Sequence, residues 1–122
     1  MIRKKRGETA YQSGRVAEDI VARAYHSAGR DIVHRRWRGK GGEIDLIARH
    51  GDEVIFIEVK KSKTFEQAAS RLGRAQMDRL CVAACEFVEN EPLGQLTPMR
   101  FDVAVVDGQG NVQIIENAFG EA

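Results

Sequence analysis

The chain has 122 residues, with 19 Lys or Arg against 18 Asp or Glu, 43% apolar residues and two cysteines. That length supports one core and is too short for two. No apolar run is long enough to span a bilayer, and no apolar segment follows the basic start as a signal peptide requires, so no membrane is expected and the cytoplasm is the expected location. The net charge of +1 conceals a split: residues 1–40 hold eleven Lys or Arg against four Asp or Glu, +7, and the remainder eight against fourteen, −6. A basic end can meet a phosphate backbone while carboxylates elsewhere hold a metal.

Residues 1–12, with Arg3, Lys4, Lys5 and Arg6, read as a flexible basic tail, and a solvated terminus is favoured over a phosphate contact. From Ser13 the pattern becomes helical. Val16, Ala17, Ile20, Ala24 and Ala28 form an apolar stripe, joined at its edge by Val21 and Tyr25, and Gly29 is a natural stop. Glu18 lies close to this stripe without being centred on it. Residues 31–38 read as an edge or lead-in strand followed by the Gly-rich segment 39–42. Arg35, Arg36, Arg38 and Lys40 surround Trp37, and this is the best nucleic-acid feature of the composition. Arginine makes paired contacts to phosphate and Trp stacks on a base. Trp37 fits a core aromatic slightly better. Gly41 and Gly42 lack the strand, helix and terminal Lys-Ser/Thr of a nucleotide phosphate loop, which argues against ATP or GTP.

Residues 43–61 organise the rest. Two runs of branched apolar residues flank Gly51-Asp52, which predicts a hairpin with a two-residue turn. His50 then faces Glu53, and every cross-strand pair has position numbers summing to 103. Asp45 is expected opposite Glu58 and Glu43 opposite Lys60. Alternation places Ile44, Leu46, Ala48, Ile55, Ile57 and Val59 on one face. The other face is apolar near the turn, at Ile47 and Phe56, and polar towards the open end. Two opposed carboxylates in a poorly hydrated site favour a raised pKa or a bound cation. Oxygen ligands suit Mg²⁺, with water and substrate phosphate completing its shell. Lys60 shares the face of Glu58 and can reach a phosphate or orient a water. A solvated hairpin end is the plainer reading of the same residues.

A long helix is expected from residue 66 or 69 to residue 89, with Thr64 and Gln67 as a capping box if it begins early and Gly73 weakening its interior. Ala69, Leu72, Gln76, Leu80, Ala83 or Ala84, and Phe87 form its stripe. Gln76 is the polar exception, expected either to reach the polar end of the hairpin or to bond to backbone. Cys81 and Cys85 are too poorly aimed for an intrahelical disulfide, lack further zinc ligands, and read as small buried residues. With Met77, Ala84 and Val88 they broaden the apolar face, which leaves room for a homodimer through this helix. His26, His34 and His50 are scattered and support neither a metal site nor a Ser-His-Asp arrangement. Residues 90–98 read as a loop, 99–106 as a strand and 111–115 as a second short strand after a turn. Phe101, Val103 and Val105 should share one face. Asp102 is expected as a salt-bridged or hydrogen-bonded partner of the Arg-rich strand, and Phe119 as a core anchor.

Gly42-Glu43-Ile44-Asp45-Leu46-Ile47, followed by Phe56-Ile57-Glu58-Val59-Lys60, resembles the small bacterial family called YraN or UPF0102. The resemblance extends from about Gly14 to Phe119, through Trp37-Arg38, Arg100-Phe101-Asp102-Val103 and Asn117-Ala118-Phe119. That family is placed in the restriction-endonuclease-like PD-(D/E)xK nuclease superfamily. The resemblance implies an α/β, restriction-endonuclease-like single domain over residues 13–119, with a mixed central sheet flanked by helices and a short tail at 120–122. It maps the superfamily's metal-binding acids onto Asp45 and Glu58, its catalytic Lys onto Lys60 and a helix carboxylate onto Glu18. Solvation or helix stabilisation explains Glu18 about as well. Two departures stand out: Ala17 replaces the usual Gly before that Glu, and Gln76 stands where Lys is common. A Gln orients water or phosphate without supplying the Lys charge.

The leading expectation is a metal-dependent endonuclease hydrolysing a nucleic-acid phosphodiester. Asp45, Glu58 and Glu18 would bind Mg²⁺ (or Mn²⁺), Lys60 would orient water or stabilise charge, and Gln76 would assist. DNA is the favoured partner, branched or otherwise structured by the resemblance, with RNA as the alternative. A non-catalytic nucleic-acid-binding module is the second reading, and a homodimeric structural or interaction domain the third.

Overall fold

The computed structural model describes residues 2–70 and 73–118, with side chains over 14–67 and 73–118. Leu72, Phe119 and residues 120–122, together with the side chains of Ala69 and the basic N-terminal segment, lie outside what is described. The order is α1 (Ile2–Ser27), β1 (Asp31–Arg38), β2 (Glu43–His50), β3 (Glu53–Lys61), α2 (Phe65–Ser70), α3 (Arg74–Val88), a 3₁₀ turn (Gly94–Leu96), β4 (Met99–Val106) and β5 (Val112–Ile115). The strands form one sheet in sequence order, antiparallel except for the parallel β3–β4 pair. A parallel neighbour requires a crossover, which here carries α2 and α3. The protein is a mixed α/β domain consistent with a restriction-endonuclease-like architecture.

Helices cover both faces, and this explains why β2 and β3 are apolar almost without interruption. Ala17, Val21, Ala22 and Tyr25 of α1 pack on Leu46, Ala48, Ile55, Ile57, Ala104 and Val106. Leu80, Ala83, Ala84, Phe87 and Val88 of α3 pack on Ile44, Ile47, Val54 and Phe56. Val103 and Val105 form a smaller cluster with Phe65, Ile115 and Ala118. The core of the sheet is therefore β2–β3–β4.

The hairpin register follows the sum of 103 from His50–Glu53 to Leu46–Ile57. Gly51 alone of the two turn residues has positive φ, 62°, which matches a type II′ turn. Two details depart from simple alternation. The β2–β3 ladder ends at Leu46–Ile57, so Asp45–Glu58 and Glu43–Lys60 are not Cα partners as expected. β3 instead follows β4 over its whole remaining length, from Val54–Met99 to Lys61–Val106. Ile44 also joins the α3 face, although Leu46, two residues on, faces α1. Alternation breaks at Asp45, beside Arg36 of β1, whose φ of 51° is left-handed.

The helices also differ from expectation. Helical backbone begins at Ile2, ahead of the Ser13 start. The buried stripe of α1 centres on Ala17, Val21, Ala22 and Tyr25, while Val16 is 54% exposed, because Tyr25 and Val21 fill the sheet-facing side. The expected long helix is two helices, with Gly73 as N-cap of α3. Thr64 Oγ1 accepts from Gln67 N at 3.1 Å, half of the capping box, while the Gln67 side chain accepts from Ser62. Cys81 and Cys85 are free, as expected, but exposed rather than buried. Each sits one residue beyond a core position, Leu80 or Ala84, and a step of about 100° turns it away from the sheet.

Candidate active site

The parting of β2 and β3 creates the site. Where the backbone ladder stops, the Asp45 carboxylate takes over: its Oδ2 accepts from Val59 N at 2.8 Å. Glu58 stands one residue before Val59 and is mostly buried. Its Oε1 accepts from Gln76 Nε2 at 2.7 Å and is 3.3 Å from Lys60 Nζ. Gln76, the polar interruption in the α3 stripe, thus reaches the open end of the hairpin. The structure brings Asp45, Glu58, Lys60 and Gln76 together at one point.

Burial sets the electrostatics. The Asp45 carboxyl is pushed up to about 7, first by desolvation and then by the Glu58 charge, with Glu18 and Glu43 adding to the push. The Val59 amide acts in the opposite direction. Glu58 is raised by burial and drawn back by Lys60 and Gln76. Two carboxylates that resist ionising beside each other accept a divalent cation readily, because its charge offsets both desolvation and mutual repulsion. Among the described residues, no group of three or more His, Cys, Asp or Glu forms a metal cluster. The donor set that fits is therefore the Asp45–Glu58 pair, and one or two carboxylates plus water and phosphate is a common Mg²⁺ shell.

Glu18 sits at the edge of this group and is engaged elsewhere, its Oε1 3.0 Å from Arg36 Nε. Arg35 pairs with Asp19 at 2.6 Å and Arg38 with Glu43 at 3.3 Å. The arginines expected to present a free basic surface are thus matched with acids from α1 and β2. Trp37 is half-buried and meets Phe87 edge-on, with centroids 5.5 Å apart, so it is a core aromatic. Lys40 is exposed, and its backbone amide donates to Glu86 Oε2 at 2.8 Å.

Glu86 is a residue the sequence does not reveal. It also accepts from Gly41 N, pinning the 39–42 segment to α3 just ahead of Glu43. A Cβ on Gly41 would collide with Val82 and lie 2.8 Å from Glu86 Oε1, so a close approach explains this glycine. No spacing rule connects positions 41 and 86. Asp102 is 1% exposed and salt-bridged, but to Arg100 at 2.8 Å rather than to the Arg-rich strand. It also accepts from Tyr25 Oη at 2.7 Å and Asn117 N at 3.0 Å. Asn117 has φ 52°, which makes it a turn residue held by that contact. This network ties α1, β4 and the final turn together behind the site.

Fold and site define a class: a small domain with a five-stranded mixed sheet whose separated central strands hold two carboxylates, a lysine and a helix-borne amide. Comparison with known proteins agrees with the sequence resemblance. The sequence model of the uncharacterised protein family UPF0102 matches residues 17–106, and the chain belongs to that family. A UPF0102 protein of Cereibacter sphaeroides (strain ATCC 17025 / ATH 2.4.3) is 63% identical over 113 residues, covering 93% of this chain and 97% of the relative. A UPF0102 protein of Ruegeria pomeroyi is 59% identical over 115 residues, 94% of either chain. One from Dinoroseobacter shibae is 44% identical over 115 residues, 94% of this chain and 86% of its own. Among the described residues, no helix is long and apolar enough to cross a membrane.

Proposed function

We propose that this protein is a divalent-metal-dependent nuclease of the PD-(D/E)xK type that hydrolyses phosphodiester bonds of nucleic acid, with structured DNA as its substrate class. The observation that carries this reading is the pair of carboxylates at the parted strands, Asp45 on the Val59 amide and Glu58 held by Lys60 and Gln76. Asp45 and Glu58 would hold Mg²⁺ or Mn²⁺, which when bound supplies positive charge for the reacting phosphate and its water. Asp45 would serve such a cation as a carboxylate, because the cation's charge would offset the desolvation that raises its pKa.

Glu58 is the oriented ligand. Gln76 and Lys60 both engage Oε1, which anchors that oxygen, so Oε2 is the atom that would meet a cation. Lys60 keeps its amine at the edge of the pair, where it stabilises charge developing on a phosphate oxygen or holds the attacking water. Gln76 positions Glu58 rather than touching substrate, so its uncharged amide suffices for that task. The sheet-facing cores on both sides hold these groups on strands and a helix instead of mobile loops.

A cleavage screen tests the reading. Purified wild-type protein, incubated with linear, flapped and four-way DNA and with RNA, should cut at least one substrate in Mg²⁺ or Mn²⁺ and none in excess chelator. Lys60→Ala should lose most of that cleavage while retaining more metal affinity than a change at Asp45. Equal cleavage with and without chelator would refute the assignment.

A further inference from the structure

The sheet face that carries Glu58 and Lys60 continues past them across β4 and β5. The register runs Glu58–Val103–Ile115 in one row and Lys60–Val105–Gln113 in another. Residues of one row point to the same side of a sheet, so Ile115 and Gln113 face the side that holds the proposed site. Neighbouring strands lie about 4.8 Å apart, which sets the Gln113 backbone about 10 Å from that of Lys60, about three steps of a stacked strand at roughly 3.4 Å each. Phe65 of α2 packs over the strand between them, on Val103 and Val105. Beside it opens a cleft of about 660 Å³, whose lining includes Phe65, Ile115, Lys63, Glu66, Asp107 and Gln113. That volume lies within the roughly 300–1,000 Å³ of small-ligand pockets.

The lining selects the occupant. Two carboxylates stand against one lysine, so the cleft disfavours a phosphate group. Half-buried Phe65 and Ile115 give it an apolar wall with an aromatic ring, on which a flat ring can stack. Asp107 is committed to the β4–β5 turn, where it accepts from Gln109 N, Asn111 N and Asn111 Nδ2. Glu66 and Gln113 are exposed, and they present an acceptor and an amide that both donates and accepts. A neutral flat ring with donors on its edge satisfies all of these groups at once. We infer that this cleft holds an unpaired base of the nucleic-acid substrate, stacked against Phe65 and met at its edge by Glu66 and Gln113. A base inside a duplex cannot enter, because its partner covers that edge and its neighbours cover its faces. The subsite therefore favours flapped or branched DNA over continuous duplex, and an amino-bearing base such as cytosine over thymine. The inference rests on the nucleic-acid reading above for the source of the base, but the subsite itself is tested without cleavage.

The test uses the full chain in chelator. Short single-stranded oligo-dC and oligo-dT are followed by NMR through the Gln113 side-chain amide and the Phe65 ring, and matched flapped and fully paired fluorescent DNAs by anisotropy. Oligo-dC should move both resonances and bind several-fold more tightly than oligo-dT, whereas diethyl phosphate, which carries no base, should move neither. Phe65→Leu, which keeps an apolar side chain on Val103 and Val105, should weaken flapped DNA about tenfold, the order of one base–aromatic stack, and leave paired DNA within about twofold. Gln113→Ala, at an exposed position, should weaken flapped DNA several-fold without lowering the melting temperature. Glu66→Gln should erase the preference for oligo-dC. A purely structural Phe65 would lower affinity for both DNAs together and leave binding by Gln113→Ala intact. Resonances unmoved by oligo-dC, an equal response to diethyl phosphate, or unchanged flapped-DNA affinity in folded Phe65→Leu and Gln113→Ala would overturn the inference. Cleavage that depends on Asp45, combined with any of those three results, would remove the base subsite alone; oligo-dC binding that moves both resonances, without cleavage of any substrate, would remove the nuclease and leave the subsite standing.

Discussion

Replacing Asp45 by Asn should make the metal-free protein more stable at alkaline pH. Burial and the neighbouring Glu58 charge move this carboxyl from the ordinary 3.8 to about 7. The folded state therefore keeps a proton that the unfolded chain has already lost, and stability falls as pH rises from about 4 to about 7. At about 1.4 kcal/mol for each pH interval, ionising Asp45 in the fold costs at most ~4 kcal/mol, and about 2 kcal/mol once water relaxes around the charge. Asn preserves the volume and still offers an oxygen to the Val59 amide, whose 2.8 Å contact it inherits. At pH 8 in chelator, Asp45→Asn should melt roughly 6–10 °C above wild type. The gap should shrink towards zero near pH 4.5. Excess Mg²⁺ at pH 8 should raise the wild-type melt and leave the variant unmoved. Thermal melts followed by circular dichroism across this range supply the assay. A gap independent of pH, or a variant less stable than wild type at pH 8, would refute the reasoning about desolvation.

Gly41→Ala should destabilise the fold by about 1–3 kcal/mol in a denaturant titration, because the added methyl meets Val82 and Glu86, whereas Gly108→Ala, with open space around it, should stay within about 0.5 kcal/mol. Tyr25→Phe should cost about 2 kcal/mol by removing the 2.7 Å donor to buried Asp102, read by the same titration. Cys81→Ser with Cys85→Ser should leave stability within about 0.5 kcal/mol, since both side chains are exposed; a loss of 2 kcal/mol or more would return them to the core.

The hairpin was legible because a two-residue Gly-Asp turn and two apolar runs leave one register that buries both, and the ladder obeys it as far as Leu46–Ile57. The same parity reasoning, which set Phe101, Val103 and Val105 on one face, leaves Asp102, Ala104 and Val106 on the other, and the fold packs that face against α1. What local pattern could not supply was the influence of a third strand. β3 stays with β4 to Lys61, so β2 departs alone, and the expected Asp45–Glu58 pair becomes a gap bridged by a side chain. Gln76 was legible as a polar residue in an apolar stripe, though its partner depended on that gap. The Arg-rich strand read as a basic surface because composition records charge and not partners; Glu18, Asp19 and Glu43 meet three of its arginines only in the fold. The cysteines failed for a narrower reason. Apolar side chains surround much of α3, and only tertiary contact shows that Leu80, Ala83, Ala84, Phe87 and Val88 face the sheet.

The most direct measurement of the central proposal is cleavage of a responsive substrate by purified, folded Asp45→Asn beside wild type, with Mg²⁺ present and a mock preparation to exclude contaminating nuclease. Wild type should cut, and the variant should lose cleavage by at least about a hundredfold, because a neutral amide replaces one of two charged ligands. DNA binding in chelator should survive the change. Undiminished cleavage by Asp45→Asn would contradict the account, and salt-dependent binding with no cleavage by either protein would replace the nuclease with a nucleic-acid-binding module.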